Sequence, residues 1–397
     1  MSTSSKIYSS KDEIETEKLR CWLEINLSNL KNNIESIKSI ISDNLDIISV
    51  VKANGYGLGA VNIAKYLSSI GIKYFAVATL QEALDLRISG NIKEEIIILS
   101  WTPPLEKETL IKYNLTQTLI DFEYAKKLNE LPGVVKCHIK IDTGMNRFGL
   151  KVNDIERIKE VYTFKNIKVL GIFSHLCRVR EFGEEPDNFT RMQINNFNTI
   201  IEQLEKEGIN VGLKHIMNSF GILRFKVNNR KYDLVRPGLL MYGVSPDPNN
   251  QEINKLLEEN NFKPVASLKC KVMTVKIIEK GEKVGYNSKF IANERTKIAT
   301  ISIGYADGLS FASSKNEFRV IIKGYLCPVI GNVCMDNTIV KIPFDSDIEE
   351  GDIATLFGYA DDEEKHLNHK EFLTKSGAPI GETFSRLGER ITRICHL

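Results

Sequence analysis

Apolar, β-branched runs and amphipathic stretches take turns along the first part of the chain. The runs fall at 46–51 (DIISVV), 74–79 (YFAVAT), 95–100 (EIIILS), 117–120 (QTLI), 135–141 (VKCHIKI), 168–174 (KVLGIFS), 213–217 (LKHIM) and about 232–241 (YDLVRPGLLM). They are short and mostly continuous in apolar residues, the pattern of a strand buried on both faces. Between them VNIAKYLSSIG, LQEALDLRISG, YAKKLNELPG, IERIKEVYTFK and NFNTIIEQLEKEG place apolar residues at helical spacing. Eight strands with crossover helices in about 200–250 residues predict an α/β fold, a (β/α)8 barrel, with a doubly wound sheet as the alternative.

Ahead of this repeat, Trp22-Leu23-Glu24-Ile25-Asn26-Leu27 alternates like a strand, and Ser28 offers a cap for the helix LSNLKNNIESIKSII. Near residue 262 the rhythm changes. ASLKCKVMTVKII, KVGYNSKFIA, TKIATISIGYA, FRVIIKG, CPVIGNVCM, NTIVKI and DIATLFG follow, with turns such as Ile278-Glu279-Lys280-Gly281 and Ala306-Asp307-Gly308 between them. Such short runs predict a mainly antiparallel β domain, interrupted late by one helical pattern, HLNHKEFLTKSG. The expected organisation is a polar, poorly ordered arm over 1–20, a barrel over 21–262 and a β domain over 263–397.

With 397 residues, 42% hydrophobic and 26% charged, the chain has the make-up of a globular protein with length for two cores. A net charge of +2 favours neither nucleic acid nor an acidic surface as partner. No apolar stretch reaches the roughly 20 residues that span a bilayer, so no membrane segment is expected. Residues 1–20 lack the apolar core of a secretory signal. The 7 cysteines lie mostly in apolar runs and form no C-x-x-C pair, which suits buried thiols in a reducing cytoplasm. His366 and His369 beside Asp361-Asp362-Glu363-Glu364 read as a solvated loop rather than a metal site.

The chemically pointed residues fall where the predicted barrel strands end, the face at which such barrels gather their chemistry. Lys52 follows the first strand, in VVKANGYGLG. A lysine there is either solvated at a rim or desolvated, and a desolvated amine of lowered pKa forms Schiff bases with carbonyls. Asp142, Thr143 and Arg147 follow the fifth strand, His175 the sixth, and Asn218-Ser219 the seventh, while Arg236-Pro237-Gly238 interrupts the eighth. Ser219 and the backbone near Gly238 lie where these barrels bind phosphate. Bland readings stand beside these. Arg236 can ion-pair with Asp233, His175 can be a core histidine, Asn218-Ser219 can cap a helix, and Tyr286 can be a packed strand aromatic.

Several separated motifs, VVKANGYGLG, KIDTGMNRFG, GIFSHL, HIMNSFGILRF, VRPGLLMYGVSP, GEKVGYNSKF, ISIGYADG and GNVCMDNT, occur in an order that resembles the bacterial alanine racemases. The resemblance runs from about Trp22 to the C-terminus. It implies a barrel followed by a β domain and pyridoxal 5′-phosphate as cofactor. It also implies interconversion of L- and D-alanine by two bases on a cofactor aldimine, in a cytoplasmic homodimer with shared sites. By the same resemblance Lys52 holds the cofactor and is the base on one substrate face, and Tyr286 from the second subunit is the base on the other. Arg236 points at the pyridine nitrogen and His175 lies beside the ring. Tyr56, Ser219, Gly238 and Leu239 hold the phosphate, with Asn218 helping to position the cofactor. Arg147 pairs with the substrate carboxylate or with Tyr286, and Lys140 matches a lysine carbamylated in many relatives. Met335 and Asp336 complete the partner's pocket, with Tyr305 at its mouth.

Two positions depart from the family pattern. Leu58 replaces the histidine of the usual Y-G-H-G. Glu389 occupies the place of a tyrosine near the cofactor phosphate, so it must turn away, pair with Arg386 or Arg390, or meet a new partner. A carboxylate there opens an alternative in which serine, lysine or ornithine is also a substrate. Other functional alternatives are a pyridoxal-phosphate decarboxylase and a non-catalytic cofactor-binding protein; the second base at Tyr286 separates both from a racemase.

Overall fold

The computed structural model describes residues 7–8, 15–225, 231–245, 249–314, 318–360, 366–367 and 379–397. It divides into two compact units. One comprises residues 33–55 and 60–241, the other residues 1–32, 56–59 and 242–397.

The first unit is a closed parallel barrel. Its strands, in chain order, are Asp46–Val50, Tyr74–Val77, Glu95–Ile98, Thr116–Leu119, Val135–Asp142, Ile167–Phe173, Leu213–Asn218 and Leu234–Arg236. Each pairs in parallel with the next, and the eighth returns to the first through Leu234 opposite Asp46 and Val235 opposite Ile47. The barrel rather than the doubly wound sheet is therefore the fold. The β-branched runs end up buried on both faces, as in Ile47, Ile48, Val50, Ile96, Ile97 and Ile98. Leu234–Arg236 is shorter than its apolar run because Pro237 has no N–H with which to continue the ladder. Crossover helices include Ala60–Ser69, Phe122–Glu130, Ile155–Tyr162 and Glu184–Lys206.

The second unit is built on a large sheet. Its central strand, Ala266–Ile278, pairs antiparallel with Cys21–Asn26 and Ile353–Tyr359 along its first half and with Thr296–Ile301 along its second. Arg319–Ile322, Tyr325–Pro328 and Thr338–Lys341 extend it. Cys21–Asn26, placed by its sequence position at the head of the barrel segment, lies in this sheet between Ala266–Ile278 and the last strand, Thr392–His396, which it meets in parallel. It is buried there on both faces, with Trp22, Leu23 and Ile25 all fully buried.

Some local expectations change. The helix after this strand is capped by Asn26, whose Oδ1 accepts the Asn29 N–H at 2.8 Å, and not by Ser28. Within the polar arm, Ile7–Tyr8 pairs in parallel with Cys395–His396 and is sheet. The helical pattern from His366 opens on a strand pair, His366–Leu367 against Gly358 and Tyr359. Its remainder, and the acidic run 361–364 beside His366 and His369, lie outside the described residues. Five of the seven cysteines are buried, while Cys177 is exposed and Cys334 half-buried. Among the described residues no helix is long and apolar enough to cross a membrane.

Candidate active site

Lys52 leaves the first barrel strand half-buried, and the backbone after it turns left-handed. Ala53, Asn54, Gly55, Tyr56 and Gly57 have φ of 52, 53, 66, 56 and 84°. Three of the five are not glycine, so this turn is held rather than relaxed. Asn54 Oδ1 accepts the Ala60 N–H at 3.0 Å, and Gly55 N–H donates to the Val51 carbonyl at 2.7 Å. At Gly57 a Cβ would collide with the Phe384 carbonyl oxygen, which makes glycine necessary there. Leu58, the first departure from the family pattern, is fully buried.

Burial lowers the Lys52 pKa, the guanidinium groups of Arg147 and Arg236 lower it further, and Glu82 opposes them. The amine is thus biased toward its neutral, nucleophilic form. Arg147 lies exposed after the fifth strand, its guanidinium over the Phe148 ring.

The barrel interior beneath Lys52 carries further polar groups. Arg236, at the end of the eighth strand, is buried. It donates from Nη2 to the carbonyls of Ser174 at 2.6 Å and Ile216 at 3.2 Å, and from Nη1 to His215 Nδ1 at 2.7 Å. His175 Nδ1 stands 3.4 Å from Nη2. Among the described residues no carboxylate pairs with Arg236. Asp233, the ion-pair alternative, instead accepts the Lys214 N–H at 2.7 Å.

His215 Nε2 meets His138 Nδ1 at 2.8 Å, and the His215 ring stacks on Phe173 at 4.8 Å. Burial and the nearby Arg236 charge push the His138 pKa down to about 3 and that of His215 well below the usual value. His175 is likewise held neutral, by burial and by Arg236, Lys140, Arg147 and Lys52, so it does not add a positive charge to the site. Lys140 is buried on the fifth strand with its Nζ 5.0 Å from the Phe173 ring centroid. Burial, Arg236 and Arg147 bring its pKa down to about 7, against the opposing pull of Asp142.

At the ends of the seventh and eighth strands, Asn218 Oδ1 caps the helix Ser219–Arg224 by accepting the Gly221 N–H, as the bland reading of that pair requires. The neighbouring Ser219 does more, because its Oγ accepts the N–H groups of Gly238 at 2.9 Å and Leu240 at 3.3 Å. Leu239 opens the turn Leu239–Tyr242. Tyr56 packs edge-on against Tyr242 with ring centroids 5.6 Å apart.

In the second unit, Tyr286, Met335 and Tyr305 are 72, 53 and 45% exposed. The loops that carry them are joined. Asn332 Nδ2 donates to the Tyr286 carbonyl, Tyr305 N–H to Cys334 and Ala306 N–H to Met335. Beneath them the buried carboxylate of Asp307 takes the Arg20 guanidinium, Arg390 Nε at 3.4 Å and the Gly304 N–H at 2.9 Å. Arg390 also bonds Asp336 at 2.8 Å. Glu389 is exposed and pairs with neither expected cation, since Arg386 engages Glu382 and Arg390 the two aspartates. Its charge is felt by Arg393, whose guanidinium is bonded to the carbonyls of Gly57, Leu387, Gly388 and Ile391.

Residues that the sequence reading passed over are Glu82, His138, His215, Asp307 and Arg393. For Glu82 a signal existed, the capping box Thr79-x-x-Glu82. The two histidines lie in apolar strand runs and carried none.

The architecture, a barrel followed in sequence by a β unit, is shared with solved alanine racemases. The model of the alanine racemase N-terminal domain matches residues 25–246, and that of the C-terminal domain matches 265–395. The chain belongs to the alanine racemase family. It is 38% identical over 380 residues to an amino-acid racemase of Enterococcus faecalis, covering 95% of this chain but only 52% of that protein. It is 35% identical to alanine racemase 2 of Caldanaerobacter subterraneus, covering 94% of each. The structure of the Clostridium difficile alanine racemase superposes with a TM-score of 0.85 at 32% identity, covering 94% of this chain and 95% of that one. The chain therefore spans about half the length of the Enterococcus relative and nearly all of the others.

Proposed function

We propose that this protein is a pyridoxal 5′-phosphate-dependent racemase that interconverts L- and D-alanine and works as a homodimer. The observation that carries the reading is the Lys52 amine at the first strand end, its pKa lowered by burial, Arg147 and Arg236. The donor set suits the cofactor. Lys52 offers an amine for its aldehyde, Arg236 a buried guanidinium free of carboxylates among the described residues for its ring nitrogen, and Ser219, Gly238 and Leu239 a polar cradle for its phosphate. Asn218 and His175 would flank the ring. The chemistry such a group supplies when bound is electron withdrawal from the substrate's α carbon, which makes the α proton removable.

Inversion then needs a proton taken on one face and returned on the other. Lys52 Nζ serves one face. Tyr286 Oη, exposed on the second unit with Met335, Asp336 and Tyr305, serves the opposite face of a second copy's site. Arg236 keeps its proton at neutral pH and so holds the ring nitrogen as an acceptor without protonating it. Arg147 is the cation for the substrate carboxylate. Lys140, near neutrality in pKa, is the candidate for carbamylation: its free amine attacks CO2, a proton is released, and the resulting anion lies against Arg147 and Arg236.

The test is racemisation of L- and of D-alanine followed by optical rotation, with gas evolution measured in parallel. Rotation decaying to zero without CO2 supports the reading, and CO2 release assigns the protein to the decarboxylases. One widening of it, acceptance of serine, lysine or ornithine, rests on Glu389, which among the described residues pairs with neither Arg386 nor Arg390. A kcat/KM for alanine orders of magnitude above all three removes that widening.

A further inference from the structure

The left-handed turn after Lys52 is tied to the neighbouring strand by one carboxylate. Glu82 Oε1 accepts the Ala53 N–H at 2.5 Å, while Oε2 accepts the N–H groups of Ala78 at 2.8 Å and Thr79 at 3.2 Å. Ala78 and Thr79 follow the second barrel strand, and Ala53 is the first residue after Lys52. The carboxylate therefore spans the ends of two adjacent strands and grips the first non-glycine residue of the turn, Ala53 at φ 52°. Thr79 Oγ1 accepts the Glu82 N–H in return, completing a capping box at the start of Leu80–Leu84. A capping box accounts for Oε2. It does not account for Oε1, which reaches back to the other strand.

We propose that Glu82 is a positioning residue for Lys52: its carboxylate fixes the turn from which the lysine projects and supplies the anion that offsets Arg147 and Arg236 around the amine. The inference rests on Lys52 being the reactive amine, as argued above. The charged and titratable groups that face Lys52 are Arg147 after the fifth strand, His175 after the sixth, Arg236 on the eighth and Glu82 after the second. His175 is neutral, so among the described residues three charged groups set the balance and only Glu82 is negative. Taking away its charge leaves two cations unopposed and disfavours the ammonium further. Taking away its oxygens leaves the Ala53, Ala78 and Thr79 N–H groups without their acceptor.

The two effects separate in the variants Glu82→Gln and A53G/E82Q. The amide of Glu82→Gln has the carboxylate's shape, no charge and one acceptor oxygen. A glycine in place of Ala53 adopts positive φ without strain and so needs no grip. The full-length chain, freed of cofactor, is labelled with acetic anhydride across a pH series, and the Lys52 peptide is quantified by mass spectrometry beside thermal melting. Glu82→Gln is expected to lower the Tm and to move the Lys52 labelling midpoint down by about one pH unit, roughly tenfold faster labelling at a pH below the midpoint. The double variant is expected to regain Tm without regaining the midpoint, and the kcat/KM pH profile of the holoenzyme to shift the same way. A wild-type midpoint in Glu82→Gln, or one restored by adding Ala53→Gly, overturns the proposal and leaves Lys52 in its role. Wild-type labelling of Lys52 no faster than that of surface lysines overturns both.

Discussion

His215 Nδ1 lies 2.7 Å from Arg236 Nη1, and because a guanidinium only donates, that ring nitrogen carries no proton. The His215 proton is then on Nε2, where it is donated to His138 Nδ1 at 2.8 Å, and the His138 proton is on its own Nε2. A single donor direction runs from arginine through two neutral imidazoles. It holds the guanidinium in register without a carboxylate that would neutralise its charge.

These histidines make the fold sensitive to acid. The folded state depresses their pKa values, to about 3 for His138 from 6.5 and well below 6.5 for His215 and His175, so the unfolded chain binds more protons in that window. Stability from these groups is complete above about pH 6.5 and is lost as pH falls below it, toward 3 for His138, by about 1.4 kcal/mol per pH unit for each proton taken up. Urea midpoints measured from pH 7.5 to 4.5 check the slope. Nitrogen-15 spectra should show His138 and His215 as fixed Nε2–H tautomers that do not titrate.

Replacing Tyr286 by Phe removes one hydroxyl from a side chain that is 72% exposed. The melting temperature should stay unchanged, while kcat for alanine racemisation falls by about 10²–10⁴, the range for a lost acid–base group. Mixing inactive Tyr286→Phe with inactive Lys52→Ala protein checks that the sites are shared. Subunit exchange should restore activity, because a mixed dimer holds one site with both groups.

At a pKa of about 7, the Lys140 amine is half neutral at neutral pH, whereas an ordinary lysine is almost wholly protonated. Carbon-13 spectra in labelled bicarbonate should show a carbamate resonance that disappears in Lys140→Met. The signal should strengthen as pH rises through 7, because the neutral amine is the form that attacks CO2.

Asp307 is fully buried between Arg20 and Arg390. Asp307→Asn leaves Arg20 without its anion and Arg390 with Asp336 alone, and should lower stability by about 1–3 kcal/mol, the range for lost charge-assisted hydrogen bonds. Chemical denaturation checks the loss. Activity should fall with it, because the Gly304–Asp307 turn carries Tyr305 and its backbone bonds hold the Met335 loop.

The barrel was legible because its strands are continuous β-branched runs, and the second unit because its turns are punctuated by glycine. Lys52 was legible as a strand-end amine. The shape of its turn was not: the glycines of ANGYGLG point to a tight bend, yet Ala53, Asn54 and Tyr56 share the left-handed conformation, with the Ala53 N–H held by Glu82. Glu82 reads locally as a helix start, and nothing in its neighbourhood reports a contact to residue 53. His138 and His215 look like apolar strand positions, because the bond between them exists only once the barrel closes. Cys21–Asn26 alternates like a half-buried strand, and only its partners decide which sheet receives it.

The parallel ladder between Cys21–Asn26 and Thr392–His396 gives synthesis on the ribosome a particular order. Cys21–Asn26 must wait beside Ala266–Ile278 for Thr392–His396 to leave the exit tunnel, whereas the strands of the barrel are complete by residue 236. During elongation the nascent chain can thus present a finished barrel while Trp22, Leu23 and Ile25 still lack their final neighbour. In that interval the apolar side chains of this strand are open to a chaperone.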